Sequence, residues 1–344
     1  MAKKTTEKTR IIRSFLVDAV RAGQQDIVQS ASVAFAISRQ SINRHLKALV
    51  DEGRLLSSGN TKGRVYSLGP VRRKALQYRL SELDEHIVHR KDFGFVFDDL
   101  PDNVSEICHY GFTEMLNNAI DHSDGEFVTV YVIRKEQKIV IGIEDDGEGI
   151  FKRIARIMEL PDPRESILEL SKGKLTTDPD NHSGEGVFFT SRAFDWFYIE
   201  SGDLLFAHDD DSLNDHLLHN RVDRKGTAVH MAIALDSKRD LGEIFDEFSS
   251  GPDEYSFNRT VVPVRLAAYE GETLVSRSQA KRILTRVERF TDVLLDFEGV
   301  DKIGQAFADE VFRVFSNSHP NTEITPIKTS KQIDQMIARA RSNK

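Results

Sequence analysis

Residues 143–150, Ile-Glu-Asp-Asp-Gly-Glu-Gly-Ile, constrain the fold more than any other stretch of the chain. A β-strand that runs into Asp145 and Asp146 and then places glycine at every second position, Gly147 and Gly149, has left ordinary sheet behaviour. Glycine permits φ > 0 and close backbone approach, so two glycines beside a carboxylate point to a ligand.

Two flanking stretches narrow the ligand. Upstream lies GFTEMLNNAIDHSDG, residues 111–125. On a helix Glu114 and Asn118 stand at i and i+4, Asp121 and His122 follow one turn later, and all four project from one face. Met115, Leu116, Ala119 and Ile120 remain to pack other faces against a sheet. A carboxylate and a carboxamide one turn apart suit a hydrated Mg²⁺, which keeps several waters and takes one or two protein oxygens plus phosphates. Downstream lies NHSGEGVFFTSRAFD, residues 181–195, in which Gly184 and Gly186 open a helix from Val187 to Ala193. A glycine turn at a helix N-terminus favours phosphate, because unpaired N–H groups and the helix dipole both attract anions. Further on, RKGTAVHMAIA turns into a strand at Gly226-Thr227.

This order of pieces resembles the GHKL family of ATP-binding domains, of the gyrase, histidine-kinase and MutL type, over about residues 100–235. The resemblance implies ATP and Mg²⁺ as ligands. It implies that Asp145 accepts a hydrogen bond from the adenine amino group and that Gly147 and Gly149 let the backbone approach the base. Asn118 would ligate Mg²⁺, with Asp121 and His122 beside it, and Glu114 would orient or deprotonate an attacking water or hydroxyl. Gly184 and Gly186 would bound the triphosphate pocket, and Thr227 would support the adenine end through a water. Residues 151–183 would be a mobile lid, closing within one chain or across a homodimer, with Lys172 and Lys174 available to phosphates.

The formal net charge of −8 hides an asymmetry. Residues 1–75 carry 15 Lys and Arg against 5 Asp and Glu, and the remainder 32 against 50. A basic head on an acidic body points to nucleic acid at the N-terminus. Residues 9–22 read as a helix with Ile11, Ile12, Phe15, Leu16, Ala19 and Val20 on one face. Asp26 and Ser38 are expected to cap two more helices, through about Phe35 and Glu52, and RLLSSGNTKGRVYSL reads as a hairpin. Residues 1–70 thus resemble a winged helix-turn-helix, with AISRQSINRHLKALVDEGRLL similar to its recognition helix. Ile42, Leu46, Leu49 and Val50 form the buried face. Arg39, Gln40, Ser41, Asn43, Arg44 and Lys47 face outward, where Arg, Gln and Asn can read base edges of double-stranded DNA and Lys and Ser can hold phosphate. Lys62 and Arg64 lie on the hairpin, where a wing tracks the backbone. Use of the same domain for protein contacts is the alternative.

Residues 71–100 read as a helical connector, charged and helical from Val71 to His89. Its His86 and His89 do not sit in the His-Glu/Asp context of a phosphoacceptor histidine. Residues 208–216, HDDDSLNDH, read as a solvated acidic turn. Residues 255–340 alternate strands and helices, and VLLDFEGVDKIGQAFADEVFRVF resembles the STAS fold, with Ala306, Phe307, Val311 and Phe315 apolar on the helix. In phosphorylatable STAS domains a serine starts that helix; here the place reads Ile303-Gly304-Gln305-Ala306. A docking role toward a protein partner, or a packing role, remains for this domain.

The expected architecture is an α+β multidomain chain: N-terminal winged helix (1–70), central GHKL α/β sandwich (101–237) and C-terminal STAS-like domain (255–340). One cysteine, Cys108, excludes an internal disulfide framework. No segment is apolar over the roughly 18 residues of a membrane span, and the basic N-terminus lacks a signal-peptide core, so a cytoplasmic location without membrane contact is expected. An ATP-responsive DNA-binding regulator fits best. A serine/threonine kinase working by partner switching and a DNA-stimulated ATPase of defence or repair are the alternatives.

Overall fold

A computed structural model of the chain describes residues 7–60, 63–175, 184–209, 214–251, 254–269 and 272–342. Three apolar cores organise it. Four separate sheets and the helices packed on them make it a mixed α and β structure. Among the described residues no helix is long and apolar enough to cross a membrane.

The first core is small. Helices α1 (Glu7–Arg21), α2 (Ile27–Phe35) and α3 (Arg39–Asp51) pack with a hairpin of β1 (Leu55–Ser58) and β2 (Val65–Leu68). Ile12, Leu16, Ile42, Leu46 and Leu49 fill it, while Val50 is half-buried and Ile11 is exposed. Ser38 caps α3 as expected, its Oγ accepting from Ser41 N at 3.2 Å. Asp26 does not cap α2: its backbone is left-handed, φ 54°, and its side chain makes no capping bond.

The helix expected from Val71 to His89 is replaced by strand β3 (Arg72–Arg79). Burial alternates residue by residue along it, with Arg72, Lys74, Leu76 and Tyr78 turned inward. A two-residue period carried by long amphipathic stems hides easily in a charged sequence. Short turns follow: α4 (Glu85–Ile87), a π-helical stretch over Val88–Phe93, and α5 (Gly94–Phe97). His89 packs there, stacked on Phe97 at 4.8 Å.

β3 is one edge of a five-stranded antiparallel sheet ordered β3-β4-β5-β7-β6, with β4 (Phe127–Arg134), β5 (Lys138–Asp145), β6 (Trp196–Asp209) and β7 (Asn214–Ala234). The sheet therefore begins before residue 101. Long helix α6 (Asp102–His122) covers one face, packing Ile107, Phe112 and Leu116 against Val130, Val132 and Ile141. α7 (Ile150–Ile157), α8 (Glu165–Lys172) and α9 (Gly186–Ala193) complete that layer. The acidic stretch 208–216 joins β6 to β7, and its residues 210–213 lie outside the described residues.

α10 (Leu241–Glu247) and the short hairpin β8 (Ser249–Gly251) and β9 (Glu254–Phe257) lead to the third core. Its parallel sheet is ordered β10-β11-β12, from β10 (Arg259–Pro263), β11 (Asp292–Asp296) and β12 (Glu323–Ile327). α11 (Arg277–Leu284), α12 (Gln305–Asp309), a π-helical turn over Glu310–Phe315, α13 (Ser316–Ser318) and α14 (Lys331–Ser342) surround it. Phe307, Ala308, Val311, Phe312 and Phe315 are buried there, whereas Ala306 is exposed.

Candidate functional site

A cavity of about 260 Å³ opens between α6, α7, α8, α9, the end of β5 and the Thr227–Val229 part of β7. Glu114, Asn118, His122, Asp145, Gly184, Gly186 and Thr227 all line it. Its walls are otherwise mostly apolar, from Met115, Ile143, Ile150, Leu170 and Val229 among others. An apolar pocket with a few convergent polar groups is the usual form of a small-molecule site.

Asp145 ends β5, and its carboxylate ties that strand to β7. Oδ1 accepts from Gly147 N at 2.9 Å and from Thr227 N at 3.1 Å. Oδ2 takes neither bond. Burial pushes the Asp145 carboxyl above its ordinary pKa, against the opposing pull of those two N–H groups. Thr227 Oγ1 in turn accepts from Ile150 N at 3.0 Å, so α7 starts from the same junction.

Gly147 and Gly149 do not line the cavity. They let protein approach protein. A Cβ on Gly147 would lie 1.9 Å from Ser123 O at the end of α6. Gly149 has φ +95°, and a Cβ there would meet Ser201 Oγ at 2.5 Å. Their effect on the pocket is indirect: they fix the loop that carries Asp145.

Gly186 opens α9 directly against the carboxylate of Glu114. A Cβ on Gly186 would lie 2.1 Å from Glu114 Oε2. Asn118 sits one turn along, with Nδ2 donating weakly to Met115 Sδ at 3.9 Å. Asp121 is exposed and does not line the cavity. At 3.6 residues per turn Asp121, seven residues on from Glu114, lies within about 20° of it round the helix, so periodicity alone does not keep it out of the cavity.

Residues 151–175 are built into the protein rather than forming a loose lid. All of α8 is buried. Lys172 is 1% exposed and pairs with Glu169 at 2.6 Å, so it does not reach toward phosphates. Lys174 Nζ donates to Arg289 O at 3.0 Å. The rest of the expected lid, 176–183, lies outside the described residues.

The sequence reading missed Arg153, a cavity-lining guanidinium on α7 that pairs with Asp124. Its signal was the spacing Ile150, Arg153, Ile154, which is one helix face. Among the described residues no group of three or more His, Cys, Asp or Glu is placed to hold a metal. Glu114 and Asn118 fit the sparse protein share of an Mg²⁺ that takes its other ligands from water and phosphate.

On the N-terminal domain, Arg39, Gln40, Asn43, Arg44 and Lys47 are exposed on α3, and Ser41 is half-buried. Arg39 is held back on α2, Nε donating to Gln29 Oε1 at 2.9 Å. Arg64 is exposed beside the hairpin, and Lys62 lies outside the described residues.

The family model of a STAS-like domain of unknown function, DUF4325, matches residues 279–334. The C-terminal part of the chain therefore carries a STAS-like domain. Compared with curated protein sequences, the chain matches none. At the start of α12 a side chain on Gly304 would come within 2.7 Å of Val275 Cα, so that position does not accept a serine without a backbone shift.

Proposed function

We propose that the chain is an ATP-binding, DNA-binding regulator, in which Mg-ATP in the α6–β5–β7 cavity sets the domain arrangement and hence the affinity for DNA. The observation that carries this is the convergence of Glu114, Asn118, Asp145, Gly184, Gly186 and Thr227 on one cavity. These residues come from four stretches of the sequence, and the resemblance to GHKL domains gives each stretch a role around one bound nucleotide, its Mg²⁺ or an attacking water. In that role Asp145 Oδ2 accepts from the adenine amino group. Apolar walls take the base, and the first turn of α9 faces the phosphates. Mg²⁺ would supply charge neutralisation of the phosphates, with Asn118 as its protein ligand and Glu114 orienting a water.

The DNA half of the proposal draws on the exposed Gln40, Asn43, Arg44 and Lys47 of α3, on a domain of basic composition packed like a winged helix. Regulation requires that ATP bind one arrangement better than the other. The test is calorimetric titration of Mg-ATP into the full chain, followed by DNA affinity with and without saturating nucleotide. Equal DNA affinities would reject the regulator. Label transferred from ATP to a partner protein would favour the kinase, and turnover raised by DNA of any sequence would favour the repair-type ATPase.

A further inference from the structure

Helix α8 belongs to two structures at once. Leu170, with Leu175 just beyond its end, lines the cavity. Leu168 sits in the core of the C-terminal domain. Between them, Glu169 and Lys172 form an ion pair at 1–3% exposure. Every partner that completes this pair comes from the C-terminal domain. Lys172 Nζ donates to Arg282 O and Thr285 O, both at 2.9 Å, and Arg286 Nη1 donates to Glu169 Oε2 at 3.0 Å. The backbone is joined as well: Thr260 Oγ1 donates to Lys172 O at 2.7 Å, and Arg286 donates to Lys174 O.

Two further features mark this joint. Lys174 and Arg286, which face each other across it, both have left-handed backbones, φ 51° and φ 62°. Such conformations in non-glycine residues cost about 1 kcal/mol or more and persist only where surrounding contacts hold them. A buried ammonium with three acceptors also tolerates no partial sliding, because each lost acceptor leaves buried charge unpaired. The joint is therefore either made or broken, and Leu170 and Leu175 move with it.

We infer that α8 is a two-way coupling element: ligand in the cavity and the order of the STAS-like domain bias each other through Glu169, Lys172 and Arg286. The identity of the ligand rests on the nucleotide reading above; the joint itself does not. A partner that docks on the STAS-like domain and breaks the joint thereby weakens ligand binding, and ligand weakens that partner by the same factor.

Amide hydrogen exchange on the full chain tests this, with Mg²⁺ and a non-hydrolysable ATP analogue as probe. In the wild type the analogue slows exchange at residues 282–290 as well as at 165–175. Arg286→Met binds the analogue about 5- to 150-fold more weakly, the usual span of a coupling between sites. The double variant Glu169→Gln, Lys172→Met removes both charges at similar volume. It breaks the joint from the α8 side, leaving Arg286 its bonds to the carbonyls of Gly173 and Lys174, and shows the same uncoupling. Unchanged exchange at 282–290 on binding, with wild-type affinity in the variants, overturns the coupling. If the wild type binds no analogue, the nucleotide reading fails separately and the ligand-free comparison applies. Faster exchange at 165–175 and 282–290 together in the double variant then sustains the joint, and unchanged exchange at 165–175 overturns it.

Discussion

Thr227 N donates to Asp145 Oδ1 at 3.1 Å, tying the end of β5 to a residue within β7 that lies 82 positions further on. That bond and the one from Gly147 N both fall on Oδ1, and the proposed nucleotide reading assigns Oδ2 to the adenine amino group. Asp145→Asn keeps an acceptor for the two N–H groups and removes a desolvated charge, but replaces the outward acceptor with a donor. Nucleotide binding is expected to fall at least tenfold, about 1.4 kcal/mol, while the melting temperature rises. Because burial raises the Asp145 pKa, ionisation costs the folded state. The wild type therefore loses ground to Asp145→Asn as pH climbs from the ordinary carboxylate range through the raised value, and the gap is smaller at pH 4 than at pH 7. Melting curves across that range check the sign.

Glu114 and Gly186 touch so closely that each reports on the other. Glu114→Gln is expected to retain nucleotide and lose turnover by about 10²-fold or more, as for a lost general base. Gly186→Ala would bring Cβ to 2.1 Å from Glu114 Oε2, so the carboxylate must swing aside, and turnover should fall in the same direction. Binding of a fluorescent nucleotide and release of phosphate, measured side by side, separate the two effects. Unaltered turnover in both variants would remove Glu114 from the chemistry.

On α3, Arg44→Ala should weaken DNA binding by about 1–3 kcal/mol and relax preference at one base position, whereas Lys47→Ala should weaken all sequences alike and reduce the salt slope by about one. Arg39 is tied to Gln29, so Gln29→Ala tests whether that tether aims it. Fluorescence anisotropy against a randomised duplex pool at two salt concentrations gives both quantities.

His230 Nδ1 lies 2.6 Å from Tyr131 Oη on the face of the sheet opposite α6. Burial lowers the His230 pKa, and it pushes the Tyr131 phenol up to about 12, which keeps it a donor. A depressed histidine contributes stability above its ordinary value that is lost as pH falls through the folded one. Acidification below about pH 6.5, the ordinary histidine value, should therefore destabilise the wild type more than His230→Gln. Denaturant midpoints at pH 7.5 and 5.0 measure the difference.

Gly304→Ser places a hydroxyl at the start of α12 but drives Cβ into the Val275 backbone. The expected result is a loss of about 1–3 kcal/mol of stability from overpacking, with no phosphate incorporated on incubation with Mg-ATP. Phosphorylation at an undiminished midpoint would show that the helix start can yield.

Local sequence patterns determined much of this protein. The helical stripe of Ile42, Leu46 and Leu49, the cap at Ser38, the carboxylate–carboxamide step from Glu114 to Asn118 and the glycines at 184 and 186 are all periodicities or turn chemistries within a dozen residues. Where two periods compete, sequence misleads: Arg72–Arg79 is charged enough to pass for a helix, and only pairing with β4 makes it a strand. The π-helical turn at Glu310–Phe315 is equally silent, since it shifts the phase of a stripe without changing its composition. Lys172 is the extreme case. In sequence it reads as a lysine near an expected phosphate site; its burial depends on Glu169 and on carbonyls more than a hundred residues away. A lysine enters a core only where such partners are already assembled, and that assembly is a property of the tertiary structure alone.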